Sequence, residues 1–84
     1  MTIKVLGPGC MNCRTLEQRT REALAGINSA ATVEKVTDLD GISSYGVMRT
    51  PGLVIDEKVV SYGRIPSKAE VTTMIATALS VAES

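Results

Sequence analysis

Two cysteines, Cys10 and Cys13, are the only thiols among 84 residues, and they stand in the run Gly7-Pro8-Gly9-Cys10-Met11-Asn12-Cys13. A Cys-x-x-Cys pair does one of two kinds of chemistry: it cycles between dithiol and disulfide, or it binds a soft metal. The chain has no His, which excludes Ser-His and Cys-His catalysis and any zinc site built on imidazole. A closed zinc site wants four ligands, so two thiolates would need a partner's donors, whereas Cu(I) is satisfied by two soft sulfurs. Met11 offers a thioether beside them. The pair could also be inert, as small buried cysteines often are, but Gly7-Pro8-Gly9 opens the chain where a core position would want it closed.

The elements around the pair decide what its spacing permits. Thr2-Ile3-Lys4-Val5-Leu6 is apolar and β-branched and stops at Gly7-Pro8-Gly9, so a strand feeds a loop. From Met11 the period becomes helical, with Leu16, Thr20, Ala23, Leu24 and Ile27 on one face and an end near Gly26 to Asn28. Cys10 therefore falls at a strand-to-helix junction and Cys13 in the first turn, close enough to close a disulfide. Unpaired N–H groups and the helix dipole favour a thiolate at Cys10, the nucleophile. Cys13, three residues deeper against the body of the protein, is the more thiol-like group and suits the resolving role.

Downstream, Thr32 to Thr37 reads as a second strand, although Val33 and Val36 do not alternate cleanly. Asp38 caps a short helix through Tyr45, closed by Gly46. After Thr50-Pro51-Gly52, the run Leu53-Val54-Ile55 has the look of a strand buried on both faces. Asp56-Glu57-Lys58 turns the chain and Val59-Val60-Ser61-Tyr62 returns as a hairpin partner. Ser67-Lys68-Ala69-Glu70 is a capping box, and Val71, Met74, Ile75, Ala78, Leu79 and Ala82 form one apolar stripe of a terminal helix. The order is β-α-β-α-β-β-α in a single domain spanning residues 1–84.

Composition removes other classes of function. Nine Lys plus Arg balance nine Asp plus Glu, so no whole-protein field draws the chain to nucleic acid or an anionic membrane. Tyr45 and Tyr62 are the only aromatics, too few for a base-stacking platform. The apolar runs fall short of the roughly 20 residues that span a bilayer, and the first residues lack the apolar stretch of a secretion signal. The expectation is a cytoplasmic monomer with no nucleic-acid or membrane partner.

A strand, Gly-Pro-Gly-Cys10-Met11-Asn12-Cys13, a helix, then Thr50-Pro51 ahead of a buried hairpin and a Gly63 turn into a terminal helix: this order resembles the thioredoxin and glutaredoxin superfamily. It is most similar to the short thioredoxin-like proteins of prokaryotes, over nearly the whole chain from Ile3 to Leu79. The resemblance implies an α/β fold with a central mixed four-stranded sheet flanked by helices. It also implies a thiol-disulfide oxidoreductase that reduces or exchanges disulfides through Cys10 and Cys13. The redox-active disulfide takes the place of a cofactor, and the partners are a disulfide-bearing client protein and an electron donor. By the same resemblance Pro51 is a cis-proline lying against the disulfide, and Thr50 pairs with extended substrate through its backbone. The alternative reading of the same cysteines is a Cu(I)-binding or metallochaperone module. Heavy-metal-associated domains open in a similar way but close on a strand, whereas this chain closes on its strongest helical pattern.

The sequence departs from the family in several places. Gly9 stands where thioredoxins carry Trp, and Met11-Asn12 replaces the Gly-Pro of thioredoxins and the Pro-Tyr of glutaredoxins. Tyr62-Gly63-Arg64-Ile65-Pro66-Ser67 lacks the acidic glutathione contact of glutaredoxins. Lys4 occupies the strand position where thioredoxins bury an acid that accepts the proton of the resolving cysteine, leaving Glu34 and Asp38 as substitutes to be placed.

Overall fold

Along the first strand, β1 (Thr2–Leu6), side chains alternate between two cores. Ile3 and Val5 enter one apolar cluster, while Leu6 enters a second on the opposite face. The remaining elements are α1 (Met11–Gly26), β2 (Thr32–Val36), α2 (Leu39–Ser44), β3 (Gly52–Ile55), β4 (Lys58–Tyr62) and α3 (Lys68–Glu83). This computed structural model describes residues 1–9, 11–27 and 31–83, with side chains as far as residue 80. Asn28 and the side chain of Ala82, named above as a helix end and a stripe position, lie outside what is described.

The strands form one mixed sheet in the order β2-β1-β3-β4. β2 runs parallel to β1, reached through the crossover helix α1, and β3 and β4 are antiparallel additions. The expected α/β arrangement, a four-stranded mixed sheet with helices on both faces, is what the chain adopts. Leu16, Ala23 and Leu24 of α1 and Val71 and Ile75 of α3 cover Ile3, Val5, Leu53 and Ile55 on one face. The short α2 covers the other through Ile42, which packs with Leu6, Val47 and Val54. All four residues of β3 are buried, as the unbroken apolar run requires of a strand enclosed on both faces. β2 is an edge strand with no fully buried residue, which explains why Val33 and Val36 showed no clean alternation.

Local chemistry sets the ends of the helices. Asp38 accepts from the Gly41 N–H at 2.8 Å and caps α2. Ser67 Oγ accepts from the Glu70 N–H at 3.2 Å, and Glu70 Oε1 accepts from the Ser67 N–H at 3.3 Å, completing the capping box of α3. Arg19 donates to the Pro66 carbonyl at 3.0 Å, tying α1 to the approach to α3.

The hairpin turn places Asp56 at φ 48° and Glu57 at φ 70°, the pair of left-handed conformations that a type I′ turn requires and that Asn-Gly ordinarily supplies. Here side chains hold the turn. Lys4 Nζ lies 2.7 Å from both Glu57 Oε1 and Tyr45 Oη, and Tyr45 donates to Glu57 Oε2 at 3.0 Å. The hydrogen bonds to Glu57 and Tyr45 raise the Lys4 ammonium above its ordinary value. The bond from Lys4, then that from Tyr45, lowers the Glu57 carboxyl. Arg64 and the Ser67 N–H do the same for Glu70.

Two outcomes follow. Leu16 is fully buried, so Leu16→Ala should lower stability by about 2–5 kcal/mol, against about 1 kcal/mol for removal of the cap in Ser67→Ala; urea unfolding at neutral pH measures both. Glu57 and Glu70 are depressed when folded, so their stabilisation is present above the unfolded carboxyl value and is lost as pH falls through the lower folded values. The urea midpoint should therefore drop on acidification below the ordinary glutamate range, and by less in Lys4→Met than in the parent.

Candidate functional site

The site gathers at the end of β1. Gly7 leaves the strand and its N–H donates to the Val36 carbonyl at 2.9 Å, which pins the loop to the end of β2. Gly9 has φ 91°, a conformation that favours glycine. The chain then enters α1, whose first turn contains no acidic residue, so no carboxylate there opposes the dipole at this helix end. Cys10, assigned above as the nucleophile, lies outside the described residues.

Cys13 is 5% exposed, on the face of α1 that carries Leu16 and Thr20 inward. Its sulfur sits against Gly7 so closely that a Cβ on residue 7 would overlap Cys13 Sγ and come within 3.1 Å of its Cβ, with Thr50 Cβ at 3.9 Å. Thus Cys13 and Thr50 meet at Gly7. Thr50 is exposed, Pro51 is buried, and the peptide bond between them is cis. The Pro51 carbonyl accepts from the Gly63 N–H at 3.0 Å, joining the Thr50-Pro51 segment to the end of β4. Met11, the thioether considered as a third soft donor, is 81% exposed.

Two hollows flank these residues. An open groove of about 330 Å³ runs from Thr50 toward α2, lined by Pro8, Leu39, Ile42, Val47, Met48 and Thr50. Leu39 and Met48 stand exposed on it. A smaller cavity of about 140 Å³ adjoins Cys13, and its wall includes Gly7, Arg14, Glu17, Lys35 and Thr37.

The acid sought in the sequence beside Cys13 is in neither place considered. Asp38 is occupied as the cap of α2, and Glu34 is exposed on β2. Lys4 points to the hairpin turn. The carboxylate that shares the cavity with Cys13 is Glu17, one helical turn further along α1. Lys35 Nζ is 3.2 Å from its Oε1 and Arg21 Nη2 is 2.9 Å from its Oε2. Burial pushes the Glu17 carboxyl up, but the hydrogen bonds from Arg21 and Lys35 together outweigh it and hold the group below its ordinary value. The i,i+4 spacing from Cys13 was visible in the sequence; the approach of Lys35 was not, because it depends on the parallel register of β2 against β1.

Residues 1–76 match the family described as thioredoxin domain. The chain is 36% identical over 75 residues to a thioredoxin of Methanothermobacter thermautotrophicus, a match covering 89% of this chain and 97% of that one. It is 32% identical over 71 residues to a thioredoxin of Methanocaldococcus jannaschii, covering 84% and 81% respectively. Among the described residues, no helix is long and apolar enough to cross a membrane.

Gly7→Ala tests the packing that seats Cys13. The added methyl must displace the sulfur or the loop, so the variant should lose about 1–3 kcal/mol in thermal or urea unfolding. The alkylation rate of Cys13 under native conditions should rise with it. A variant of parental stability and unchanged alkylation would show that the contact does not constrain the thiol.

Proposed function

The chain belongs to the thioredoxin domain family and is a thiol-disulfide oxidoreductase, and on that premise we propose that Cys10 and Cys13 are its reacting pair, with Cys10 the nucleophile and Cys13 the resolving thiol. The observation that carries this reading is the seating of Cys13: a buried sulfur one turn into α1, against Gly7 and beside Thr50. The Cys10 thiolate attacks a client disulfide, forming a mixed disulfide and expelling one client thiolate, which takes up a proton. Cys13 then attacks the Cys10 sulfur. The Cys10–Cys13 bond forms, the bond to the client breaks, and the client leaves with its second sulfur reduced. An electron donor returns the pair to the dithiol. The whole cycle uses thiol exchange and no cofactor.

Thr50, exposed at the rim, and Pro51, buried behind it, are the client-binding residues in this reading. The apolar groove from Thr50 to α2 is a surface of suitable character for an extended segment flanking a client disulfide. The working state is a cytoplasmic monomer.

Replacing Cys13 with Ser should trap client proteins on Cys10 as mixed disulfides, recovered from a reducing-cell extract and released by dithiothreitol. Cys10→Ser should trap none. If the Cys13→Ser protein captures nothing while the parent holds one equivalent of Cu(I) tightly, the cysteines serve metal binding instead.

A further inference from the structure

Resolution of a mixed disulfide requires Cys13 to lose its proton, and burial against Gly7 disfavours that loss because a thiolate is poorly solvated there. The acidity of Cys13 therefore depends on the charges that face it. The cavity adjoining it holds three charged groups: Arg14 and Glu17 on α1 and Lys35 on β2. Its remaining walls from β1 and the following loop, Val5, Gly7 and Gly9, carry no titratable group, and neither does Thr37. Arg21 reaches the cavity only through Glu17. Cys10 is the other titrating neighbour in sequence.

Side chains in a helix lean toward its N-terminus, so the Glu17 side chain lies over the turn that carries Cys13. It is 15% exposed on its side chain and gripped from both sides. A carboxylate held this way stays ionised across neutral pH and acts as a fixed charge, not as a proton store. At about 140 Å³ the cavity has room for a few waters, which can carry the thiol proton outward.

We propose that the Glu17–Lys35 ion pair sets the acidity of Cys13 across the cavity they share, Glu17 disfavouring and Lys35 favouring the thiolate, so that both are positioning residues for the resolving step. This rests on the reading of Cys13 as the resolving thiol. The pair keeps a charged acid close to the sulfur while its cation cancels most of the acid's field. Removing Glu17 leaves Lys35 without its counter-charge, and removing Lys35 leaves Glu17 to Arg21 alone, so the two removals act in opposite directions. A tie that merely holds α1 to β2 would move both variants the same way, through loosened packing.

The test has two arms. In a Cys10→Ser background Cys13 is the only thiol, and its thiolate absorbance is followed against pH with no substitution, with Glu17→Gln, with Lys35→Met and with both. Glu17→Gln should lower the midpoint and Lys35→Met raise it, each by about half a unit, with the double variant near the parent. In the second arm both cysteines are kept and the reduced protein is mixed with dithiobisnitrobenzoate. The first aromatic thiolate reports attack by Cys10, and the second reports closure by Cys13. At neutral pH the second phase should quicken about twofold in Glu17→Gln and slow about twofold in Lys35→Met. The gain in thiolate fraction is partly offset by the weaker nucleophilicity of a more acidic thiol. The first phase should not change. Equal midpoints, or shifts of one sign, overturn the proposal. A parent that shows no first phase overturns the oxidoreductase chemistry of Cys10 instead, while the titration still judges the ion pair. Should Glu17→Gln fail to fold, the direction of the Lys35→Met shift decides.

Discussion

In the proposed cycle Cys13 reacts only after Cys10 has, so its sulfur must be kept from solvent without being sealed in. The contact that buries it is its packing against the backbone of Gly7, where a side chain on residue 7 would occupy the same space as the sulfur. The contact requires the first turn of α1 to lie close over the end of β1. That placement follows from Leu16, Ala23 and Leu24 sinking into the cluster built on Ile3 and Val5. It also requires the loop after β1 to stay down, which the Gly7 N–H to Val36 hydrogen bond ensures. The same point on the sheet receives Thr50 from the segment before β3. Cys13 and the exposed Thr50 are thus positioned by one local packing arrangement.

The charges are divided between the two ends of the sheet. Lys4 occupies the strand position where the family buries an acid, and its side chain is spent on the hairpin, bridging Tyr45 at the end of α2 to Glu57 in the turn. That bridge helps two adjacent non-glycine residues tolerate left-handed conformations. The electrostatic environment of Cys13 is supplied instead from α1 and β2, by Glu17, Arg14 and Lys35. Lys4 on β1 thus ties the far hairpin to α2, while the charged groups that line the cavity beside Cys13 lie on α1 and β2.

Much of this was legible in the sequence, for identifiable reasons. The two long helices carry apolar stripes at helical spacing, and α3 opens on a capping box whose two hydrogen bonds are both made. The short α2 was marked by Asp38 at its start and Gly46 at its close; the cap holds and Gly46 takes a positive φ. The β3 run was unambiguous because a strand covered on both faces has no polar positions to confuse it. The edge strand β2 was the least clear, since a strand exposed at the margin has little burial to pattern it. Cys10, Cys13, Thr50 and Pro51 could be named as candidate site residues from residue type and family pattern; of these the structure brings Cys13 and Thr50 together at Gly7, and Cys10 lies outside the described residues. The placing of Glu34 and Asp38 relative to Cys13 could not be judged, because it depends on strand register. Glu17, four residues after Cys13 on the same helix, needed only helix phase, whereas its partner Lys35 needed the register of β2.

The account stands or falls on whether Cys10 and Cys13 exchange electrons as one unit within a single chain. Equilibrating the protein against graded ratios of reduced to oxidised dithiothreitol, quenching with acid and counting free thiols by mass after alkylation tests this directly. A single two-electron transition from dithiol to intramolecular disulfide in the monomer is the predicted result. Thiols that persist under oxidising ratios, or that oxidise only by linking separate chains, would contradict it.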